Sequence, residues 1–314
     1  MESGRRKAHA RRERFKAQPQ SEHVAIAKRV LLAGASGIVG TAIAVELKRR
    51  GYWVRALSRF PLNVKGDVDE LFVGDLLKPE TLKTACDGIG IVFSCAGAPP
   101  HRVRFRKGNP SFAQIDDVGN RRLLAEALEA GVKRFAYVGA FGGRLFGSSE
   151  YIRAHESFAI ALRTSGLDHV VIRPTATFAS LAPMARRARK RKLRVIGDGS
   201  ARINPIHEED LGVVCVDAME GHESAIDVGG PVTYTRNEIA EAAFSAWGRT
   251  STVGHLRPGC AFWIQRFSGI RGAHNRSVGS FLTDSAVVDM VAPAFGSRTL
   301  EAYLGDIAKA ETAS

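Results

Sequence analysis

The sequence predicts an α/β fold: a doubly wound parallel sheet with a small C-terminal region. Three observations lead to this prediction. Short apolar runs, each of the length of a buried strand, recur between residues 30 and 173. Amphipathic helical patterns separate these runs. Glycine or proline often stands where one pattern gives way to the next, as expected at turns. Because strands and helices alternate, the strands should run parallel, with right-handed crossovers between them.

The composition sets the size of the fold and raises the question of its partners. The chain has 314 residues, of which 45% are hydrophobic, and a formal net charge of +13. This length suits one larger α/β domain with a small appendage. Basic residues concentrate in residues 5–16 and 186–194. We interpret residues 1–27 as a disordered basic tail. The second run is either a solvated helix face or the mouth of a pocket for an anionic substrate. It has no interleaved aromatic residues, which argues against nucleic acid as a partner.

The cysteines and the hydropathy pattern bear on compartment and on metal binding. Cysteines are far apart and form no CxxC pair, so we predict free thiols and no metal site; they are Cys86, Cys95, Cys215 and Cys260. No apolar run approaches the ~20 residues that a membrane-spanning helix needs. The basic N-terminal stretch lacks the apolar segment of a secretory signal. Together these features predict a cytoplasmic protein without a membrane span.

A glycine-rich loop follows the first apolar run. Residues 30–33 end at Gly34, and Gly37 and Gly40 follow at three-residue spacing, where a helical pattern begins. A strand, a glycine turn and a helix start form the arrangement that binds the pyrophosphate of a dinucleotide. The alternative is a tight strand–helix turn with no ligand. On the first interpretation, five loop residues bind the cofactor: Gly34, Ser36, Gly37, Ile38 and Gly40.

The second predicted strand, residues 52–57, bears on which dinucleotide is bound. NAD-specific folds carry an acidic residue about here, ~20 residues beyond the loop, and none is present. Instead Ser58 and Arg59 stand at the strand end, and Arg55 lies nearby. A hydroxyl and a guanidinium suit a 2′-phosphate, so we predict NADP, with NAD as the alternative cofactor. A solvated arginine at a strand end is the other interpretation.

Three further strands are predicted to end at the same edge of the sheet. They cover residues 70–73, 89–94 and 132–138, and helices are expected over residues 79–88 and about 112–130. Ligands of doubly wound sheets lie outside the carboxyl ends of the strands. The residues that follow these strands are therefore predicted to complete the cofactor site: Asp75, Leu76, Ala96, Gly97 and Gly139.

The motifs together resemble those of the atypical and extended short-chain dehydrogenase/reductases, especially the NmrA-like branch and the Rossmann-type accessory subunit of respiratory complex I. The resemblance covers roughly residues 28–250. It implies an NAD(P)-binding Rossmann domain over residues 28–178, with the remaining sheet and helix elements and the substrate side in residues 179–314. The segments that carry it are GASGIVG at 34–40, GDL at 74–76, and residues 119–138, 165–175 and 197–211.

The resemblance also implies where the catalytic residues should be. Members of this superfamily carry a Ser or Thr after the fifth strand and a Tyr-x-x-x-Lys motif on the next helix. Here Tyr151 is retained, but His155 stands in the lysine position. The hydroxyl is missing after the fifth strand, where Gly139 stands, and Ser148 or Ser149 is the candidate replacement. A packing tyrosine and a buried helix histidine are the structural alternative.

Other polar residues are assigned to structural roles. Asn204, His207 and Asp210 are predicted to cap the start of a helix, and Asn120 to bridge backbone groups. Thr235 opens a further helix with a capping-box pattern. The apolar residues 256–290 have no assignable motif; they either cover the substrate pocket or form a homodimer surface.

Two functions follow from these features. The first is an NADP-dependent oxidoreductase acting on a small carbonyl or enone substrate, with Tyr151 as the acid and His155 as its partner and ribose contact. The second is a redox-inactive NADP-binding sensor or assembly factor. The retained tyrosine favours the first, and the missing serine and lysine favour the second.

Overall fold

A computed structural model describes residues 26–60, 67–98, 110–147, 149–191, 193–250, 252–260 and 281–312. Several predictions therefore lie outside the described residues: the basic tail over residues 1–25, Ser148, and most of the apolar segment 256–290.

The sheet confirms the predicted doubly wound α/β fold. Seven parallel strands run in the order β3-β2-β1-β4-β5-β6-β9, so the order reverses between β1 and β4. Val30 of β1 pairs with Val54 on one side and Ile91 on the other. The strands are β1 Arg29–Ala33, β2 Trp53–Ser58, β3 Glu70–Val73, β4 Ile91–Ser94, β5 Arg134–Val138, β6 Asp168–Pro174 and β9 Ala225–Val228.

Helices cover both faces of this sheet. One face packs against α1 Ile38–Arg49 and α5 Glu208–Glu220, through side chains such as Leu47 and Leu211. The other face packs against α2 Asn120–Ala130 and α3 Glu150–Thr164. The central strands are therefore buried on both sides, which explains why they read as continuous apolar runs, whereas the edge strand β3 keeps Leu71 and Val73 exposed.

The C-terminal region has a core of its own. It contains α4 Phe178–Arg189, α6 Arg236–Ser245 and α7 Leu300–Thr312, which pack through residues such as Phe178, Ile239 and Leu304. Two small sheets complete it: β7 Arg194–Ile196 pairs with β11 Gly254–Leu256, and β8 Arg202–Ile203 pairs with β10 Tyr234–Thr235. Among the described helices, none combines the length and apolarity needed to cross a bilayer.

Two helix predictions differ from the structure. The helix expected over residues 79–88 is reduced to a 3₁₀ turn, Pro79–Thr81. The reason is Thr84, whose φ of 69° lies in the left-handed region and stops a right-handed helix. The helix expected from residue 112 begins as a π-helix, Ala113–Gly119, before it continues as α2. This irregularity matters for the site, because π-helical turns redirect side chains.

Two of the predicted caps are confirmed, whereas the Asp210 carboxylate instead accepts from the backbone N–H groups of Ser297 and Arg298. The His207 side chain accepts a hydrogen bond from the backbone N–H of Glu209 at the start of α5. Thr235 and Glu238 form the expected capping box at α6. Asn204 instead binds the backbone of Ala292, donating to its carbonyl at 2.8 Å and accepting from its N–H at 3.1 Å. It thus ties the C-terminal segment to the sheet and does not cap α5.

Candidate functional site

The glycine loop lies where the strand order reverses. Gly34 follows β1 with φ +88°, a conformation that favours glycine, and a Cβ there would lie 2.8 Å from the backbone of Ala96. A Cβ on Gly40 would lie only 2.1 Å from the carbonyl oxygen of Gly34. Glycines therefore let α1 begin directly against the loop. Ligands of doubly wound sheets bind at this reversal point.

The start of α1 has the features of a pyrophosphate site. Gly37 is its N-cap, and within the described structure no side chain caps it and no acidic residue occupies its first turn. Its first N–H groups and the positive end of the helix dipole therefore face outward. Ser36 and Gly37 are exposed, and the Ile38 side chain is 60% exposed. The loop thus fits the diphosphate of NAD(P), and Ile38 offers an apolar contact beside it.

The two candidates for the 2′-phosphate differ in availability. The Ser58 hydroxyl is buried and engaged in a turn, because it donates to the carbonyl of Phe60 at 2.9 Å. Arg59 is exposed, with its guanidinium carbon 5.8 Å from the Phe60 ring centre. Arg55, which lies nearby in the sequence, is already engaged elsewhere. Its guanidinium is buried and donates to the carbonyls of Ala85 and Asp87, at 2.8 and 3.0 Å.

The residues predicted after β3 and β5 lie at the carboxyl ends of those strands. The Asp75 carboxylate accepts from the backbone N–H of Leu77 at 3.0 Å. Leu76 is buried beneath Gly119. A Cβ on Gly139 would meet only ordinary contacts, at 3.4 Å and beyond. Nothing in the packing around Gly139 therefore requires a glycine, and the roles of these residues in cofactor binding stay predictions.

The loop after β4 is held by Asn120, as predicted. Its amide donates to the carbonyl of Ala96 at 3.2 Å and to that of Asp116 at 3.0 Å. The Ser94 hydroxyl donates to the Asn120 side-chain oxygen at 2.6 Å. This network places Gly97 against the π-helix. A Cβ there would lie 2.7 Å from Oδ1 of Asp116, so it is Asp116 that excludes a side chain at this position.

Tyr151 and His155 lie together, one turn apart on α3. Their ring centres are 4.6 Å apart in an edge-to-face arrangement. The Tyr151 ring also packs edge-on against Phe112, at 5.1 Å, and against Phe281 at the same distance. Aromatic packing of this kind fixes both side chains. The spacing of four residues therefore brings the pair to one face, as the sequence predicts.

A tyrosine that the sequence did not single out holds the histidine. The hydroxyl of Tyr137, in β5, lies 2.5 Å from Nδ1 of His155. Burial lowers the pKa of His155 to about 4, so the imidazole is neutral at pH 7. Burial also raises the pKa of Tyr137, so its phenol stays protonated and its O–H donates a hydrogen bond to Nδ1. His155 is then the Nε2–H tautomer, and Nε2 has no hydrogen-bond partner among the described residues.

The phenol of Tyr151 carries its proton at pH 7. Burial, and next the nearby Asp116 carboxyl, raise the pKa of Tyr151. A neutral imidazole supplies none of the positive charge with which a lysine would lower that pKa. Ser149 is buried at the N-cap of α3, and its hydroxyl has no partner among the described residues, including Tyr151. The tyrosine is thus a protonated phenol, and without a neighbouring cation it is a weaker acid than its counterpart beside a lysine.

Asp116 is the second residue that sequence reasoning missed. It is fully buried in the π-helix, and its Oδ1 accepts from the backbone N–H of Ala98 at 2.8 Å. Its Oδ2 has no hydrogen-bond partner in the described part of the chain. The signal available in the sequence was a carboxylate inside an apolar helical pattern. The π-helical turn that points it inward has no comparable signal.

The basic run 186–194 is partly neutralised within the chain. Arg186 and Arg189 pair with Glu311 of α7, at 2.7 and 3.3 Å. The Arg189 guanidinium also lies 5.2 Å from the Trp247 ring centre. These contacts fit a solvated helix face better than the mouth of a substrate pocket.

Comparisons with known proteins agree with this geometry. A sequence family described as NAD(P)H-binding matches residues 34–221. The NAD(P)H azoreductase of Xenophilus azovorans is 25% identical over 237 residues, covering 70% of this chain and 74% of that protein. The sanguinarine reductase of Eschscholzia californica is 29% identical over 147 residues, covering 36% of this chain and 54% of that protein. The chain thus spans about half the length of this second relative.

A solved structure shares the fold. The NADPH-dependent quinone oxidoreductase QOR2 of Escherichia coli, complexed with NADPH, superposes with a TM-score of 0.68 at 16% sequence identity. The match covers 88% of this chain and 99% of that one. It confirms the Rossmann fold that the resemblance to short-chain dehydrogenase/reductases predicts. Because the family match extends over more than half of the sequence, the chain belongs to the NAD(P)H-binding family.

Proposed function

We propose that this protein is an NADP-dependent oxidoreductase that reduces a small carbonyl or enone substrate. The observation that carries the proposal is the pairing of Tyr151 with a neutral His155 beside Gly97, at the carboxyl edge of the sheet. A surface tyrosine or a fully bonded core histidine would leave no polar atom free. Here the Nε2 of His155 is buried and has no partner among the described residues.

The preference for NADP rests on the end of β2. Arg59 is exposed there and suits a 2′-phosphate, and the neighbouring Ser58 adds no charge. The position holds no carboxylate that would bind the ribose hydroxyls of NAD and repel a phosphate.

Each residue around Tyr151 has a role in the proposed reduction. The nicotinamide, when bound, supplies the hydride. Tyr151 would donate its phenolic proton to the substrate oxygen as negative charge develops there. His155 would donate Nε2–H to an oxygen of the bound molecules. The reverse reaction needs a tyrosinate as base, which burial beside Asp116 disfavours.

The names of the relatives support an electron-poor substrate. The name of the azoreductase indicates an azo compound as its substrate, and that of the quinone oxidoreductase a quinone. The name of the third protein indicates sanguinarine. Quinones and azo compounds accept a hydride readily, so they demand less of a protein acid than a simple ketone does. We therefore expect conjugated carbonyls to be better substrates here than isolated ones. The free thiol of Cys215 supports the proposed cytoplasmic location.

A redox-inactive NADP-binding protein is the second candidate. Two observations favour it. Positions 139–141 after β5 hold no hydroxyl side chain, and no cation lies beside Tyr151 within the described structure. Under this alternative, Tyr151 and His155 only shape the nicotinamide pocket.

A binding titration followed by a turnover panel distinguishes the two. NADPH affinity is measured by fluorescence, and NADPH oxidation is then followed with ketones, enones and quinones. We expect oxidation with a conjugated substrate, and at least a tenfold lower kcat for ketones and enones in Tyr151→Phe. Tyr303→Phe, a matched change at a partly buried tyrosine of α7, should leave kcat unchanged. Tight NADPH binding without turnover of any compound would reject the enzyme and favour the sensor.

A further inference from the structure

Asp116 carries chemistry that the proposed function does not use. The side chain is fully buried on the π-helix Ala113–Gly119. A buried carboxylate is normally paired with a cation or neutralised by a proton. No arginine or lysine pairs with Asp116 in the described part of the chain. Its carboxyl is therefore expected to be neutral.

The groups around Asp116 agree with a neutral carboxyl. Tyr137 of β5 and Tyr151 and His155 of α3 are the titratable groups nearby, and each is uncharged at pH 7 for the reasons given above. Glu150, at the start of α3, is the charged group that acts on it, and its negative charge raises the pKa of Asp116 in addition to burial. Nothing in this environment favours the ionised form except one backbone N–H.

The hydrogen bonds indicate which oxygen carries the proton. Oδ1 accepts from the N–H of Ala98 at 2.8 Å, so the proton belongs on Oδ2. Oδ2 is buried and has no partner among the described residues. Asp116 thus presents a hydroxyl donor that no group of the described chain accepts.

Asp116 and His155 both lie against Gly97. A Cβ placed on Gly97 would lie 2.7 Å from Oδ1 of Asp116 and 3.8 Å from Cε1 of His155. The two residues do not hydrogen-bond to each other, because Oδ2 and Nε2 both lack partners within the described structure. Gly97 is therefore packed tightly against Asp116, and each of the two residues beside it keeps one buried polar atom without a described partner.

We propose that Asp116 is a second ligand-binding residue of the site, and that its Oδ2–H and the Nε2–H of His155 donate to oxygen on the molecule bound above Gly97. The ligand chemistry is a hydroxyl or carbonyl oxygen. Its source is either the cofactor, through a ribose hydroxyl, or the substrate, through its carbonyl. The inference rests on the proposed function only in placing the reaction centre beside Tyr151.

Infrared difference spectroscopy tests this directly on the full chain. The spectrum of wild type minus Asp116→Asn at pH 7 should contain the C=O band of a protonated carboxylic acid. Adding NADPH alone should shift this band if the cofactor supplies the oxygen. If the substrate supplies it, only NADP⁺ with 2-cyclohexen-1-one, which cannot turn over, should shift it. Absence of the band, or a band unmoved by both additions, would overturn the proposal.

Binding measurements provide the second readout. Asp116→Ala should lower the affinity for one ligand, the one that shifts the band, by about tenfold. This is the effect of one lost hydrogen bond. Asp116→Asn keeps a donor and an acceptor, so it should bind within about twofold of wild type. Asp117→Asn is the matched control, because Asp117 pairs with Arg121 and Ser157 instead. Unchanged affinity for both ligands in a folded Asp116→Ala protein would refute the role while leaving the proposed reductase intact.

Discussion

Acid should destabilise this protein through His155. The imidazole is only 6% exposed, and its Nδ1 accepts from the buried hydroxyl of Tyr137. A proton added to Nδ1 would force that hydrogen bond to reverse, and the imidazolium would put a charge in a buried site with no paired anion among the described residues. The folded protein therefore resists protonation of His155, whereas the unfolded chain accepts the proton readily.

The size of the effect follows from the two pKa values. The pKa of His155 falls from 6.5 in a free side chain to about 4 in the folded protein. A group whose pKa is lowered by folding contributes stability that is fully present above pH 6.5 and is lost as the pH falls toward 4. At 1.36 kcal/mol for each pH unit, this amounts to about 3 kcal/mol of unfolding free energy.

Urea unfolding at pH 7 and pH 4 measures this loss. Wild type should lose about 3 kcal/mol more unfolding free energy between the two pH values than His155→Gln, which cannot take up a proton there. All other titrating groups are common to both proteins and cancel in the comparison. Equal losses in the two proteins would refute the buried, neutral histidine. A smaller loss in wild type would indicate an ion pair with Asp116 instead.

Three further predictions concern the glycine loop, the end of β2 and the start of α6. In thermal melts, Gly40→Ala should destabilise the fold by roughly 1–3 kcal/mol, because its Cβ would lie 2.1 Å from a backbone oxygen, and it should abolish measurable NADPH binding. Gly37→Ala, whose Cβ would lie 3.3 Å from its nearest contact, should destabilise the fold less. Arg59→Ala should weaken NADPH by at least tenfold and NADH by less than twofold in fluorescence titrations, and equal weakening would remove the 2′-phosphate role. Thr235→Ala should lower the unfolding free energy by about 1 kcal/mol in urea melts through loss of the capping box, and an unchanged value would contradict that geometry.

The sheet and the glycine loop could be predicted from the sequence because their signals are local. Apolar runs buried on both faces, with a glycine where the backbone turns, leave few alternatives. The proposed helix over residues 79–88 shows the limit. Pro79 and Glu80 are good first-turn residues, yet Thr84 adopts a left-handed conformation for which its residue type gives no signal.

The polar half of the site could be predicted only in part. Tyr151 and His155 are four residues apart, so a helix brings them together whatever its surroundings. Tyr137 and Asp116 reach His155 and Gly97 from a different strand and a different helix, through contacts that depend on tertiary packing. The role of Arg55 could not be predicted for the same reason, because only the fold shows that two loop carbonyls bind its guanidinium.

Single-turnover oxidation of bound NADPH, in wild type and in Tyr151→Phe, tests the central claim most directly. With an enone in excess, wild type should oxidise one equivalent of NADPH far faster than a protein-free control. Tyr151→Phe, with unchanged NADPH affinity, should do so at least tenfold more slowly. The account is contradicted if wild type binds NADPH but oxidises it no faster than the control, or if Tyr151→Phe matches wild type.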